Sequence, residues 1–413
     1  MRGIIEAKML KPVKIEDLQL GMYVVGVLRQ TGDTILANEG LVRTPQALEH
    51  LRRKGVLEVM VDPARSVDMS PVQLASAAEP ASAKTITDDP LSRLMPKVSF
   101  EAEIGHASKL YNEARDLQSK AFRNLQAGRP IEVGPMQQLT SGIMQSVFRN
   151  KDALLCVSRM RDKDAYLLEH SINVSILMTI FARYLGYDEA EIHELATGAM
   201  MHDIGKIKVP DAVLTKPGRL SDDEFTEMKR HVEYGVEVLK STPGVTPMML
   251  RVVAEHHERF NGSGYPHGLA GETISREGRM AGIVDCYDAI TATRVYKDSS
   301  PSVVAFKILR QDSGTHFDGE LVTDFIRAIG VHPVGTMVKL KSQRLGVIIK
   351  SNLAQPLRPV VKVFYNAKLR QHVPVVDVDL SDSRHADEIE ASVKPEQFRI
   401  DLLKFFRMAI VGG

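Results

Sequence analysis

Hydrophobic and polar positions follow two different periods along this chain. In the first 62 residues the apolar positions form short runs that predict β-strands, at Leu18–Leu28, Ile35–Leu36 and Val56–Val61. Thr44 and Pro45 are typical of a helix start, and that helix would end near Gly55. Residues 1–62 are therefore predicted to form a small α/β domain, to which position alone suggests a regulatory role.

From residue 98 the apolar positions recur every three or four residues, which is the period of a helix. Phe100–Gln126 and Met136–Phe148 are the longest such stretches. Their near-heptad spacing allows either packing within one domain or a seam between two copies of the chain, as in a homodimer. Because fewer than four clean heptads are present, packing within the domain is favoured. Residues 98–330 are predicted to be all helical.

Two helix starts inside this region are especially clear. Ser221 to Glu224 forms a capping box, and the helix that it opens is predicted to bury an apolar face of Phe225, Met228, Val232, Val236 and Leu239. Pro247 starts a second helix that ends at His256 and His257. These starts place histidines next to apolar helix faces.

Composition changes on both sides of the helical region. Ala, Ser, Pro and Thr dominate residues 63–97, which predicts a flexible linker. Residues 331–413 return to short β-type runs and are predicted to form a small β-rich domain with a terminal helix at Pro395–Met408. Its basic residues indicate a solvated edge or, as the alternative, an oligonucleotide surface; they are Lys339, Lys341, Arg344, Lys350, Arg358 and Lys362.

Composition narrows the class of protein further. The 413 residues are 44% hydrophobic and 25% charged, with a formal net charge of +1, which is typical of a globular protein of two or three domains. This charge gives no reason to expect a nucleic-acid polymer as partner. The two cysteines cannot form a disulfide framework, and no apolar run reaches the ~18 residues of a membrane span. We expect a cytoplasmic protein.

His202 and Asp203 stand where an apolar helical run ends, and Lys206 follows within one turn. In most proteins such a dipeptide is a surface turn. Here further candidates follow the same pattern along the chain: His170, His231, His256, His257 and Asp285. A histidine beside an apolar helix face needs a partner. A shared group of cations supplies one, and because no cysteine takes part, the metal is expected to favour nitrogen and oxygen ligands.

The run from His256 to Leu269 has the sequence HHERFNGSGYPHGL. It resembles the HHE-x2-(N/D)-G-x-G-Y-P-x-G-L signature of the HD-GYP proteins, which are bacterial metal-dependent phosphodiesterases of the HD superfamily. HDIGK at residues 202–206 and DCYDA at residues 285–289 extend the resemblance over about residues 165–317. It implies an all-α HD-type catalytic core within a multidomain chain.

The resemblance implies hydrolysis of cyclic di-GMP to linear pGpG, to GMP or to both. Two cations about 3.5–4 Å apart would share Asp203 and a bridging hydroxide as nucleophile. The implied metal ligands are His170, His202, Asp203, His231, His256, His257 and Asp285. Members of the family usually bind iron or manganese, and zinc, nickel or cobalt is also compatible with these ligands. Some members bind a third metal through a Glu where this chain has Tyr166, so two metals are expected.

Four residues are expected to contact substrate, namely Lys206, which is also catalytic, Arg294, Lys297 and Tyr265. For Arg294 and Lys297 a solvated helix end is an equal alternative. The loop around Tyr265 is a tight turn, a substrate contact, or a surface for a diguanylate cyclase or another signalling protein. Two functional alternatives stay open: a catalytically weak cyclic di-GMP receptor, and another HD-type nucleotide phosphohydrolase.

Overall fold

The structure is a computed structural model of the chain. It describes residues 10–31, 40–42, 48, 51–52, 55–63, 65–66, 89–159, 166–292, 300–384 and 387–406. These residues fall into two units, residues 1–92 and residues 93–413, and each unit is described by itself.

The first unit contains an antiparallel sheet with strand order β1-β4-β2-β3. The strands are β1 Lys11–Lys14, β2 Tyr23–Gln30, β3 Gly40–Leu41 and β4 Val56–Val61. Val24, Val56, Val59 and Val61 are buried in its core. Strand β4 has its predicted bounds, whereas β2 begins at Tyr23 because residues 18–22 turn at Gly21, whose φ is 90°.

Three predictions for the N-terminal region fall mainly on residues that are not described. They are the strand at 35–36, the helix at 44–55, of which only residues 48, 51, 52 and 55 are described, and most of the linker at 63–97. The described strands pair without crossing into the helical region, since the sheet lies wholly in the first unit.

The second unit begins with a helical region. Its helices are α1 Phe100–Gln126, α2 Val133–Val157, α3 Tyr166–Leu185, α4 Glu189–Met201, α5 Asp211–Leu214, α6 Asp222–Lys229, α7 His231–Lys240, α8 Pro247–Glu255, α9 Arg276–Thr291, α10 Ser302–Gln311 and α11 Gly319–Ile329. Ser99, Asp188, Ser221, Thr246, Ser275 and Asp318 cap six of them through their side-chain oxygens.

Helix α1 packs within its own domain, as the sequence favours. Its buried positions include Ile104, Ala107 and Ala114. The hydroxyl of Tyr111 donates to the side chain of Asn173 on α3 at 3.0 Å, and Gln118 donates to the carbonyl of Met200 on α4 at 2.8 Å. Both bonds are buried, so α1 is anchored to the helices that carry the His and Asp candidates.

The single helix predicted from residue 221 to 239 is wrong. It is two helices, α6 and α7, that meet at Arg230. Val232 and Leu239 on α7 are fully buried, but Phe225 on α6 is 49% exposed. Arg230 separates the two helices, and residues spaced on one predicted helical face do not share one environment.

The C-terminal part of the second unit is an antiparallel sheet of order β8-β7-β6-β5-β9. Its strands are β5 Met337–Leu340, β6 Arg344–Lys350, β7 Val360–Asn366, β8 Gln371–Asp379 and β9 Ile389–Ser392. The β-type runs of the sequence at 338–340, 345–349, 360–365 and 373–378 correspond to β5, β6, β7 and β8, and β9 was missed. The buried carboxylate of Asp152 on α2 accepts hydrogen bonds from the backbone and hydroxyl of Ser351, which joins sheet to helices.

The predicted helix at Pro395–Met408 is interrupted. A 3₁₀ turn at Pro395–Phe398 and helix α12 Leu402–Phe406 are separated by Arg399, whose φ is 55°. Residues 407–413 lie outside the described residues. The ring of Phe405 stacks on Phe364 of β7 at 4.0 Å between centroids, so α12 packs on the sheet.

The basic residues of the sheet lie among acidic partners. The ion pairs are Lys339 with Glu390, Lys341 with Glu388, Arg344 with Asp387, Arg358 with Glu388 and Lys362 with Asp377. These pairs neutralise the basic side chains locally, which agrees with a solvated edge. In the described part of the chain, no helix is long and apolar enough to cross a membrane.

Candidate metal centre

The His-Asp turn is shaped by a glycine. Helix α4 ends at Met201, His202 caps it, and Asp203 opens a 3₁₀ turn at Ile204–Lys208. A β-carbon on Gly205 would lie 1.9 Å from the carbonyl oxygen of His231 and 2.4 Å from the nitrogen of Gly235. Only glycine permits this approach of the turn to α7. The approach brings Asp203 beside His231.

The structure brings together all seven residues that the sequence proposes as metal ligands. They come from near the start of α3, the end of α4, the start of α7, the end of α8 and the middle of α9. Each is buried except His257, whose side chain is 17% exposed. Five separate helices therefore converge on one cluster of imidazoles and carboxylates, which we call the His/Asp cluster.

Three of the imidazoles are oriented by the same local hydrogen bond. The Nδ1 atoms of His202, His231 and His256 lie 2.7–2.8 Å from the carbonyl oxygens of Ala199, Met228 and Val253, each three residues earlier. A carbonyl only accepts, so in each neutral ring Nδ1 carries the proton and Nε2 keeps its lone pair. Each Nε2 faces the cluster, as a metal ligand requires.

One side of the cluster gathers around Oδ2 of Asp203. This atom lies 3.6 Å from Nε2 of His170 and 3.4 Å from Nε2 of His202. Oδ1 of Asp285 lies 3.0 Å from Nε2 of His170 and 3.9 Å from Nε2 of His202. His170, His202 and Asp285 each present one ligand atom within 4.8 Å of the others, close enough to share a cation.

The other side gathers around Oδ1 of Asp203. This second oxygen lies 3.4 Å from Nε2 of His231 and 3.9 Å from Nε2 of His256. His231, His256 and His257 form another group whose ligand atoms lie within 4.8 Å of one another. The two oxygens of Asp203 thus face two different ligand groups.

Charge in the cluster is divided unevenly among the imidazoles. Burial lowers the pKa of His231 to about 4 and that of His257 to about 3, and it holds the pKa of His256 well below its usual value. These rings are neutral near pH 7 and can donate lone pairs. Burial also opposes charge on His170, but hydrogen bonds to Asp285 and Asp288 raise its pKa to about 9.

The carboxylates of the cluster stay ionised. Burial favours the neutral acid at Asp203, but the nearby charge of Lys206 offsets it, and the pKa of Asp203 lies well below its usual value. For Asp285, burial again favours the neutral acid, but the hydrogen bond and charge of His170 together with the neighbouring imidazoles outweigh it and hold the pKa well below its usual value. Neutral imidazoles and ionised carboxylates are the protonation states that bind divalent metals.

Two buried atoms that can act as metal ligands fit a bound cation. Nε2 of His202 and Oδ1 of Asp203 make no hydrogen bond to any residue that the structure describes. Burying such atoms without a partner is costly, and a metal ion supplies the partner. The ligand set contains only nitrogen and oxygen, which suits a hard or borderline divalent metal. The cluster is therefore a candidate divalent-metal site.

The predicted substrate contacts are only partly described. The ammonium of Lys206 lies 2.6 Å from Oδ2 of Asp203, at the edge of the cluster, with its side chain 19% exposed. Tyr265 stacks on the imidazole of His257 with 4.7 Å between ring centroids. Arg294 and Lys297 lie outside the described residues, so their roles stay predictions.

Glu258 holds the glycine-rich loop against the cluster. Its carboxylate is 4% exposed and accepts hydrogen bonds from the backbone nitrogens of His267 at 2.8 Å and Leu269 at 2.9 Å. A β-carbon on Gly264 would lie 2.5 Å from the α-carbon of Glu258, so glycine is needed there too. The loop, which contains a cis Tyr265–Pro266 bond, is thus fixed directly beside His257.

Sequence patterns assign no role to Glu258 or Asp288. Oδ2 of Asp288 lies 2.8 Å from Nδ1 of His170, and both residues are buried. This bond turns Nε2 of His170 toward the cluster, as outer carboxylates do for metal-binding histidines. A signal did exist, because Asp288 follows Asp285 by three positions and so shares its face of α9. For Glu258 the signal was its place directly after the paired histidines.

Comparisons with known proteins agree with this geometry. The model of an HD domain matches residues 155–321, and that of a domain of unknown function, DUF3391, matches residues 10–136. A cyclic di-GMP phosphodiesterase of Pseudomonas aeruginosa is 35% identical over 383 residues, which are 92% of this chain and 91% of that protein.

Two relatives from Vibrio cholerae match shorter stretches. A cyclic di-GMP phosphodiesterase is 32% identical over 244 residues, or 52% of this chain and 50% of its own. A 3'3'-cGAMP-specific phosphodiesterase is 37% identical over 154 residues, or 37% of this chain and 30% of its own. The names of these relatives therefore include two different cyclic dinucleotides.

Proposed function

Since the chain belongs to the HD-GYP family of metal-dependent phosphodiesterases, we propose that it hydrolyses cyclic di-GMP to linear pGpG, to GMP or to both. The support for this substrate is the Pseudomonas aeruginosa relative, which matches the chain over nearly its whole length and carries that activity in its name. The shorter match to a cGAMP-specific enzyme makes a mixed guanine and adenine dinucleotide the second candidate substrate.

The proposed centre holds two divalent cations, iron or manganese first, with zinc, nickel and cobalt also suited to the ligands. The observation that carries this proposal is the orientation of Asp203, whose two oxygens face two groups of ligand atoms that adjoin each other at His202 and His256. One cation would be held by His170, His202 and Asp285, and the other by His231, His256 and His257. Asp203 would join them.

When bound, two such cations lower the pKa of water to near neutrality and neutralise charge on phosphoryl oxygens. The chain's own residues do the rest. The backbone carbonyls of Ala199, Met228 and Val253 keep three imidazoles in the metal-binding tautomer. The buried, ionised Asp203 and Asp285 supply the negative charge that makes the site attractive to cations.

Lys206 is proposed to hold a non-bridging phosphate oxygen of the substrate. Its ammonium lies at the edge of the cluster beside Asp203, and its partial exposure leaves it within reach of solvent and substrate. Tyr265 is proposed as a second contact. Burial raises the pKa of its phenol, so the hydroxyl stays protonated and can donate a hydrogen bond to substrate. Arg294 and Lys297 are proposed to bind a more distant phosphate.

Lys206 and the metal ligands can be separated experimentally. A protonated lysine offers no lone pair to a metal, so Lys206→Ala should keep two metals per chain and lower kcat. Loss of one such contact typically costs ~2–4 kcal/mol, or about thirty- to a thousandfold in rate. Arg294→Ala should mainly raise KM. If Lys206→Ala instead loses bound metal in proportion to its activity, Lys206 has a structural role and its assignment as a substrate contact is wrong.

The first domain of the chain is proposed to serve regulation. We assign residues 1–62 to a regulatory domain, 63–97 to a linker, 98–330 to the catalytic domain and 331–413 to a β-rich domain. The loop around Tyr265 would offer a surface to a diguanylate cyclase or another signalling protein. A homodimer is kept as one candidate assembly, although the buried hydrogen bonds from α1 to α3 and α4 favour packing within the domain.

Turnover assays decide between the proposed function and its alternatives. Protein reconstituted with Mn²⁺ or Fe²⁺ is offered cyclic di-GMP, cyclic GMP-AMP, dGTP and guanosine tetraphosphate, and products are separated by chromatography. We expect cyclic di-GMP to be opened. Binding without turnover would support a receptor, and turnover of dGTP or guanosine tetraphosphate alone would support a different HD-type phosphohydrolase.

A further inference from the structure

Phe225 lies in an unusual place for a phenylalanine. It is 49% exposed on helix α6, and none of that helix's eight described residues is buried. Among the described side chains it is the one phenylalanine that is exposed. Single exposed apolar side chains are common, so its meaning depends on what surrounds it.

Aromatic rings lead from Phe225 to the His/Asp cluster. The ring of Phe225 meets that of Tyr265 edge to face, with 6.5 Å between centroids and 83° between planes. Tyr265 in turn stacks on His257 at 4.7 Å with 30° between planes. We call Phe225, Tyr265 and His257 the aromatic row. Its inner end is a proposed metal ligand and its outer end faces solvent.

The row is held in place by backbone and side-chain contacts. The backbone nitrogen of Tyr265 donates to the carbonyl of His257 at 3.2 Å, and Glu258 fixes the rest of the loop. At the outer end, the ammonium of Lys229 lies 5.3 Å from the centroid of the Phe225 ring. Within the described residues, no ring stacks face to face on Phe225. The ammonium lies over one face of the ring, so the remaining exposed part of Phe225 offers an apolar surface beside a positive charge.

A nucleobase next to a phosphate matches this surface. Bases stack on aromatic side chains, and a nearby cation attracts the phosphates that accompany them. Resting on the proposed function, we propose that Phe225 is a stacking platform for a guanine base of the substrate, so that it determines binding while the cluster acts on the phosphodiester. Phe225 would then contribute mainly to KM.

Steady-state kinetics on cyclic di-GMP give the first test. Loss of one stacking contact should raise KM of Phe225→Ala by at least about fivefold, with kcat within about threefold of wild type. Phe225→Trp should keep KM near the wild-type value, because indole offers an equal or larger flat surface. Metal content should be unchanged in both variants, since neither substitution replaces a proposed metal ligand.

Fluorescence gives a second test that needs no turnover. The chain contains no tryptophan, so Phe225→Trp introduces a single indole fluorophore. GMP should quench its emission in a saturable manner, whereas ribose 5-phosphate, which has no base, should not. Leu357→Trp is the matched control, because Leu357 is 62% exposed in the turn between β6 and β7 of the C-terminal sheet. Its emission should show no saturable change with GMP.

The results separate this proposal from the proposed function. Turnover of cyclic di-GMP with an unchanged KM in Phe225→Ala, and no GMP-specific quenching in Phe225→Trp, would overturn the stacking platform and leave the proposed function standing. No turnover of cyclic di-GMP together with saturable, GMP-specific quenching would reject the proposed function and support the guanine platform.

Discussion

Charged residues are handled differently in the His/Asp cluster and in the C-terminal sheet. In the sheet, Lys339, Lys341 and Lys362 pair with acidic residues at partly exposed positions. In the cluster, imidazoles and carboxylates from five helices are buried together, and Nε2 of His202 and Oδ1 of Asp203 lack a hydrogen bond among the residues described. In the sheet, these charged side chains pair with one another, whereas in the cluster two buried atoms are left for a bound ligand.

This difference has a physical consequence for mutation. An exposed ion pair contributes little to stability, because water and salt already screen each charge. Removing a buried carboxylate lowers the free energy of unfolding more, because it leaves other buried charged groups without a partner. Matched substitutions in the two regions should therefore have very different effects.

The largest effect is expected for Asp203→Ala. The change removes the carboxylate that faces both ligand groups, so turnover of cyclic di-GMP should fall roughly a thousandfold or more, and bound metal should be lost or weakened. Asp377→Ala, which breaks the ion pair with Lys362 in the sheet, is the matched control and should leave turnover within about twofold. Near-wild-type turnover in Asp203→Ala would contradict the proposed role of this residue.

A pair of glycines gives the next comparison. A β-carbon on Gly205 would meet the backbone of α7 at 1.9 Å, and one on Gly346 would meet the carbonyl of Lys362 in β7 at 2.6 Å. Each alanine substitution should destabilise the fold by about 1–3 kcal/mol in urea unfolding. Only Gly205→Ala should also lower metal content and turnover, by about tenfold or more. Equal loss of activity in both would show that general destabilisation is responsible.

Asp288 is expected to matter through His170. Replacing it by alanine frees the imidazole to rotate, and outer carboxylates of this kind typically change metal affinity or activity about 10- to 100-fold. Asp288→Asn keeps a hydrogen-bond acceptor and should lose less. Competition with a chelator measures metal affinity directly. If Asp288→Ala binds metal as tightly as wild type, the bond to His170 has no positioning role.

The pH dependence of the metal-free protein should have two limbs. Below pH 6.5 the unfolded chain binds protons on histidines such as His231 and His257, whose folded pKa values are about 4 and 3, so stability falls as pH drops. Above pH 6.5 the folded protein still holds a proton on His170, whose pKa is about 9, and that contribution is lost as pH rises.

Urea unfolding with chelator present measures this profile between about pH 4 and 10. We expect a maximum near pH 6.5, a fall of up to about 3 kcal/mol on the alkaline limb, where His170 loses its proton, and a larger fall on the acid limb, where at least two histidines take up protons. Asp288→Asn should flatten the upper limb, because it removes a charge that raises the pKa of His170. Stability that keeps rising above pH 7 in the metal-free wild type would contradict this division of charge.

Much of the fold was predictable from periodicity. Helix α1 and strand β4 have the predicted bounds because each buries a regular face. The division into α6 and α7 at Arg230 was not predictable from periodicity, because the apolar spacing continues across it. Strand β9 was missed for a different reason. It is short and only partly buried, so it lacks the apolar run that marks the other strands of its sheet.

The site shows a similar limit. Ordered His and Asp residues at helix ends predict a cluster, and the structure brings the seven candidates together; their role as metal ligands stays a prediction. Spacing could not reveal that Asp288 orients His170 or that Glu258 holds the loop, because both effects depend on contacts between distant segments. It also could not reveal that Phe225 faces solvent, because its spacing matches that of the buried Val232 and Leu239.

The central claim is that the His/Asp cluster holds two divalent cations joined by Asp203. Metal analysis of wild-type protein purified without air, together with Asp203→Ala, tests it most directly. The account predicts two equivalents of a divalent metal per folded wild-type chain and a clear loss in Asp203→Ala. One equivalent or none in wild-type protein that is folded and active on cyclic di-GMP would contradict it.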